Sequence, residues 1–177
     1  MPTELKSVDL RETTRQAIAR AGARAGLLKA EMTYLEPLEP VMVEADSEQI
    51  GRIIDNLINN ALTYSSTQPW LKITVTSEPS PAVTVQDHGI GIAPEKHAKV
   101  FERFYRIDDS AIGPQPGTGL GLYISRELAE LHLGSLKLGH SEPHQGSTFI
   151  LQLPAAGPAR PATRPPIPTH APPTAPA

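Results

Sequence analysis

Hydrophobic residues Ile50, Ile53, Ile54, Leu57, Ile58, Ala61 and Leu62 recur at intervals of three and four. That spacing gathers them on one broad stripe of an α-helix, which Asp46 or Ser47 can open as an N-cap. Downstream the period changes to two. Leu71, Ile73 and Val75 form one alternating set and Val83 and Val85 another, with Pro79-Ser80-Pro81 between them, so two strands joined by a turn are predicted. Upstream, Asp9 can cap a helix from Leu10 to about Ala25, with Gly22 and Gly26 blurring its end. Leu27 to Leu35 reads as a weak strand, and Val41 and Val43 alternate with Met42 and Glu44 in a short one. From Gly89 to Gly121 the pattern fades into a segment rich in glycine and proline, with a short helix expected around Glu95 to Tyr105. A helix from about Leu120 to Leu131 carries Ile124, Leu128 and Leu131 on one side. Two strands, Leu136 to Leu138 and Thr148 to Leu153, close the pattern through Pro143 and Gly146. Mixed elements with late hairpins predict an α+β two-layer sandwich, a mostly antiparallel mixed sheet with helices on one face.

Composition trims this picture at one end. Nine of the 19 prolines among the 177 residues follow Leu153, in a stretch made almost entirely of Pro, Ala, Thr and Arg that cannot bury enough apolar surface to order itself. Residues 1–153 are therefore expected to form one domain and 154–177 a disordered Pro/Ala-rich tail. A net charge of −3 supplies no basic field for nucleic acid. The absence of cysteine excludes disulfides and thiolate metal sites. No apolar run reaches the roughly 18 residues of a membrane span, so a cytoplasmic location is expected, with or without a membrane-anchored parent.

The chemistry lies around the segment where the pattern fades. Asn56 and Asn60, one helical turn apart, share a face about 40° wide with Arg52 and Thr63 nearby. Two carboxamides so placed offer hard oxygen ligands that could share one Mg²⁺ with phosphates, and they would equally suit a solvated polar face. Asp87-His88-Gly89-Ile90-Gly91 follows a strand directly. Its carboxylate could accept from the exocyclic amine of a purine, or simply close an Asx turn. Gly117-Thr118-Gly119-Leu120-Gly121-Leu122 opens a helix and can turn backbone N–H groups toward an anion, or act as a hinge. It is neither a P-loop nor a Rossmann fingerprint. Phe101 to Arg106 pairs two aromatics with Arg103 and Arg106, expected on one helical face.

Taken in order, Asn56 to Ala61, Asp87-x-Gly89-x-Gly91, Phe101 to Arg106 and Gly117 to Leu122 resemble the catalytic ATP-binding domain of bacterial sensor histidine kinases. That domain has the Bergerat fold of the superfamily that includes gyrase, Hsp90 and MutL, and the similarity runs from about Val8 to Leu153. The resemblance implies a protein-histidine kinase domain using ATP and Mg²⁺. It implies Mg²⁺ and phosphate at Asn56 and Asn60, adenine against Tyr64 with its amino group on Asp87, and a base pocket shaped by Gly89, Gly91 and Ile92. It further implies a phosphate cradle from Gly117, Thr118, Gly119, Leu120, Gly121 and Leu122, and a nucleotide contact at Thr148. Residues Ala93 to Pro116 would be a mobile ATP lid, stiffened by Pro114 and Pro116, with Phe101 and Phe104 as its anchors to a partner domain. Arg103 and Arg106 would serve catalysis near the γ-phosphate.

Three departures qualify the resemblance. Thr63 stands where the family often has Lys or Arg, which predicts one lost phosphate contact. His88 follows the aspartate, either packed or as a pH sensor near its usual pKa of ~6.5. The first histidine of the chain is His88, so the family's phosphoacceptor and its dimerising hairpin are missing. The expected partners are therefore a separate histidine-bearing hairpin domain and, through it, a response regulator. The chain itself is expected to be an excised or truncated monomeric domain that does not label itself. A serine kinase of the anti-sigma-factor type and a non-catalytic nucleotide-binding module are the alternatives.

Overall fold

A computed structural model describes residues 3–65, 68–107 and 117–157. The expected tail lies almost wholly outside them, as do Pro114, Pro116 and the rest of 108–116. Strand β1 (Lys6–Asp9) leads into α1 (Leu10–Leu27), then β2 (Glu31–Leu35) and β3 (Met42–Ala45). Helix α2 (Ser47–Thr63) is followed by β4 (Trp70–Thr76) and β5 (Ala82–Asp87). Two single 3₁₀ turns, Pro94–Lys96 and Lys99–Phe101, precede α3 (Gly121–Leu131), β6 (Ser135–Ser141) and β7 (Ser147–Gln152).

The main sheet has strand order β2-β4-β5-β7-β6, parallel only between β2 and β4. One face of it is buried at Leu71, Ile73, Val75, Val83 and Val85, the period-two sets of the sequence, and at Phe149 and Leu151 of β7. Against that face lies α2, whose apolar stripe is buried at every predicted position from Ile50 to Leu62. Helices α1 and α3 pack on either side of α2. Asp46 caps α2 by accepting from the Glu48 and Gln49 N–H groups, and Asp9 caps α1 through Arg11 N–H. The two-layer arrangement expected from the pattern is the one observed.

Five local features differ from the reading of the sequence. Helix α1 continues to Leu27, so the strand after it starts only at Glu31. Lys6–Asp9, which has no apolar alternation, forms β1 because it pairs with β3. The helix expected from Glu95 to Tyr105 is two separate 3₁₀ turns, and Phe104 adopts a left-handed backbone (φ 62°). There the Phe104 N–H donates to the Gly119 carbonyl (3.0 Å), an exchange of helix for a cross-link to the glycine turn. On α3 the expected inward set is largely outward: Ile124 is 48% and Leu131 58% exposed, while Ser125 and Ala129 are buried. Small residues on that face let α3 approach α2 closely. Past Leu153, Ala155 bridges to Val43 and the Ala156 N–H donates to the Met42 carbonyl, so pairing continues beyond the expected boundary.

His132 fastens the far end of α3. It is 3% exposed, its Nδ1–H donates to the Leu128 carbonyl (2.7 Å), and its Nε2 accepts from the Asp46 N–H (3.1 Å). Substituting His132→Ala leaves that half-buried backbone donor without its acceptor, beside a small void. The loss expected is about 1–3 kcal/mol. A urea midpoint unchanged from wild type would contradict it.

Candidate functional site

One cavity of roughly 580 Å³ opens between α2, the ends of β5 and β7, and the glycine turn before α3. That size suits a small organic ligand. Its wall along α2 is polar because the apolar stripe faces the sheet and leaves Asn56, Asn59, Asn60, Thr63 and Tyr64 on the adjoining strip. Asn56 and Asn60 thus share the cavity as the spacing required. Arg52, on the same helix, is exposed and outside the lining.

The two carboxamides are held differently. Asn56 Nδ2 donates to Ser125 Oγ (3.0 Å), a buried hydroxyl on α3. That bond fixes the orientation of the amide and leaves its Oδ1 as the free acceptor. Asn60 has no side-chain hydrogen bond to any described residue although it is half-buried. Both carboxamide oxygens therefore remain available to a hard cation, which these residues fit in their chemistry. Among the described residues no group of three or more His, Cys, Asp or Glu side chains could form a metal cage. A cation here would draw its other ligands from a bound anion and water.

At the opposite end, Asp87 closes β5. It is 8% exposed, and its Oδ1 accepts from Gly89 N–H (2.8 Å) and Ser147 N–H (3.2 Å). Burial pushes its carboxyl up to about 6, against the lowering effect of those two N–H groups and of His88. It is the sole carboxylate lining the cavity among the described residues. Gly89 has an ordinary backbone, outside the left-handed region. It is required because a Cβ would press on the Tyr64 carbonyl, which accepts from Ile90 N–H (3.0 Å). Gly91, Ile92 and Tyr64 line the cavity with Ile90. The Ile92 N–H donates to Ser141 Oγ (2.7 Å), which ties this loop to the β6–β7 hairpin. His88 lies outside the lining and stacks on Trp70, ring centroids 3.9 Å apart.

The glycine turn completes the enclosure. Gly117, Thr118, Gly119, Gly121 and Leu122 line the cavity, whereas Leu120 does not. Gly119 has φ 72° and its missing Cβ would collide with the Phe104 backbone, so only glycine satisfies both demands. A Cβ on Gly121 would strike the Asn56 carboxamide. Helix α3 starts at Gly121 without a side-chain cap, so its first N–H groups are free to meet an anion.

Other expectations on this side change. Arg106 lines the cavity, but Arg103 does not. Its Nη2–H donates to Tyr123 OH (2.7 Å) and the guanidinium lies 4.6 Å from that ring's centre. With no helix spanning them, Arg103 and Arg106 share no helical face. Phe101 is buried, edge-on to Phe149, and belongs to the domain's own core, whereas Phe104 is 71% exposed. Thr148 is outside the lining, and its neighbours Ser147 and Phe149 take its place because alternate residues of a strand face alternate sides.

Residues 45–157 match the family of histidine kinase-, DNA gyrase B- and HSP90-like ATPases. The chain belongs to that family. Sensor histidine kinase MtrB of Mycolicibacterium paratuberculosis is 40% identical to it over 150 residues, 85% of this chain and 26% of that protein. Sensor histidine kinase RppB of Synechocystis is 43% identical over 110 residues, 62% of this chain and 24% of that protein. Among solved structures, mycobacterial sensor histidine kinase MprB aligns with a TM-score of 0.74 at 26% identity, covering 86% of this chain and 98% of that one. Full-length ShkA in complex with AMPPNP aligns with a TM-score of 0.75 at 27% identity, covering 91% of this chain and 33% of that one. The chain thus spans about a quarter of the length of these curated relatives.

In this histidine kinase-like ATPase domain several lining residues escaped sequence reasoning. Asn59 and Tyr105 lie inside motifs already recognised but had no role of their own there, and Ser147 follows the hairpin glycine; adjacency was the available signal. Ile90, Val100 and Ile107 give the cavity its apolar side. Arg24 had no signal at all, because it reaches the cavity from α1. Among the described residues no helix is long and apolar enough to cross a membrane.

Proposed function

We propose that this domain binds Mg-ATP and donates its γ-phosphoryl group to a histidine on a separate dimerisation and phosphoacceptor domain. The phosphoryl group would then pass to a response regulator in two-component signalling. The observation that carries this reading is the cavity itself. It brings two carboxamides, an uncapped glycine-opened helix start and a buried carboxylate into one space.

The adenine would lie against Tyr64 with its amino group donating to Asp87, and the phosphates against the glycine turn and the first turn of α3. Mg²⁺, when bound at Asn56 and Asn60, would neutralise phosphate charge. Phosphoryl transfer depends mainly on such positioning and charge compensation. Arg106 reaches the cavity as expected of a phosphate-facing cation, and Arg103 would enter only after leaving Tyr123. Exposed Phe104 is the better candidate of the two phenylalanines for contact with the partner domain.

Transfer is favoured over hydrolysis because no described residue on α2 offers the cavity a carboxylate. Asn56 and Asn60 cannot take a proton from water, and Asp87 is committed at the base end. The relatives described above are sensor histidine kinases, which leaves the serine-kinase and non-catalytic alternatives without support. The test uses γ-³²P-ATP with a separate histidine-bearing hairpin domain from a related sensor kinase. Acid-labile, base-stable label on the hairpin, little label on this chain and slow release of inorganic phosphate are expected. Brisk steady hydrolysis, or label stable to acid on a serine, would contradict the reading.

A further inference from the structure

Arg24 sits in the last turn of α1, 39 positions before Thr63, and its exposed side chain leans across to α2. Its Nη1–H donates to Asn59 Oδ1 (2.8 Å) and its Nη2–H to Thr63 Oγ1 (2.7 Å). All three side chains line the cavity. Both acceptors are neutral, and among the described residues no carboxylate lies within ion-pair distance of this guanidinium.

One turn earlier the same helix shows the contrasting case. Arg20 is held by both oxygens of Asp55, at 3.0 and 3.1 Å, and lies outside the cavity. Two arginines thus cross from α1 to α2, one neutralised and one not, and the one that is not faces the cavity. Two of Arg24's five N–H donors are used, and the others are free of protein partners among the described residues. A planar guanidinium with spare donors, steadied by two neutral acceptors, matches the geometry of a phosphate oxygen pair.

Its place along the wall narrows the role. Thr63 is three residues beyond Asn60, about 4.5 Å further along α2, and directly precedes Tyr64. Arg24 therefore stands between the carboxamide end and the base end. We propose that Arg24 binds the polyphosphate of the nucleotide and restores, from another helix, the cation that the sequence lacks at Thr63. This rests on the nucleotide-binding reading of the cavity.

The test titrates the full chain and three variants, Arg24→Gln, Arg24→Lys and the double variant Arg24→Gln with Thr63→Arg, with adenosine, Mg-ADP and Mg-ATP. Arg24→Gln is expected to weaken Mg-ATP and Mg-ADP about tenfold, with adenosine unchanged. It should also flatten the salt dependence of Mg-ATP binding. Arg24→Lys keeps the charge and should retain part of the affinity. The double variant restores a cation at the same place without the bond to Asn59, and should recover most of it. Equal losses for adenosine and Mg-ATP would show that Arg24 merely staples α1 to α2 and would overturn the proposal. Unchanged affinities in Arg24→Gln would overturn it as well. Wild-type protein that binds none of the three probes would remove the nucleotide reading, and the proposal with it. Normal wild-type binding with no effect of Arg24→Gln would remove the proposal alone.

Discussion

Asp87→Asn is expected to weaken adenine-nucleotide binding about a hundredfold while making the empty protein more stable at neutral pH. Asparagine can keep its oxygen on the Gly89 and Ser147 N–H groups that now hold Oδ1. Its NH₂ then replaces Oδ2 and meets the ligand's amino group donor to donor, which forfeits a charge-assisted bond and leaves a buried donor unpaired. The stability change has the opposite sign. The native carboxyl titrates at about 6, above its ordinary 3.8, chiefly because it is buried. Between those values the folded state binds more protons than the unfolded state, so stability falls as pH rises through that window. Above it the full penalty applies, on the order of 2–3 kcal/mol. Asparagine does not ionise and escapes it. Melting curves should therefore favour Asp87→Asn at pH 7.5 and converge with wild type near pH 4. Nucleotide affinity of the wild type should fall as pH drops below about 6, when the acceptor gains a proton. A variant that binds normally, or one destabilised at pH 7.5 and not at pH 4, would contradict the assignment.

Asn60→Ala is expected to lower phosphoryl transfer to the hairpin domain by roughly two to three orders of magnitude, the scale of losing a group that stabilises transition-state charge. The side chain has no described protein partner, so its removal should leave folding unchanged. Adenosine lacks phosphate and metal and should bind as before. That separation distinguishes a phosphate-end ligand from a structural asparagine. Equal loss of adenosine binding, or unaltered transfer, would refute the role. Asn56→Ala is a less clean probe, because it also strands the buried Ser125 hydroxyl.

Much of this was legible in the chain because it is written locally. The α2 stripe and the alternation of β4 and β5 each follow from one period, and every predicted apolar position from Ile50 to Leu62 is buried. The glycine clusters announced themselves because backbone at Gly119 and Gly121 tolerates no Cβ. What stayed hidden depends on distant partners. β1 exists through pairing with β3, and the inward face of α3 is centred on buried Ser125, which meets Asn56, and Ala129, with Leu122 and Leu128 partly buried against the core. The segment around Phe104 gave up its helix for a bond to Gly119, which no local propensity encodes. Arg24 reaches Thr63 across two helices, and neither residue alone suggests the other.

The central claim is that an adenine nucleotide with Mg²⁺ occupies the cavity between α2, the end of β5 and the start of α3. An amide-resolved NMR titration of the whole chain with Mg-ADP tests it most directly. Saturable one-to-one binding is expected, with the largest shifts at 56–64, 87–92 and 117–122. Absence of binding, or shifts clustered on the exposed face of the sheet, would contradict it.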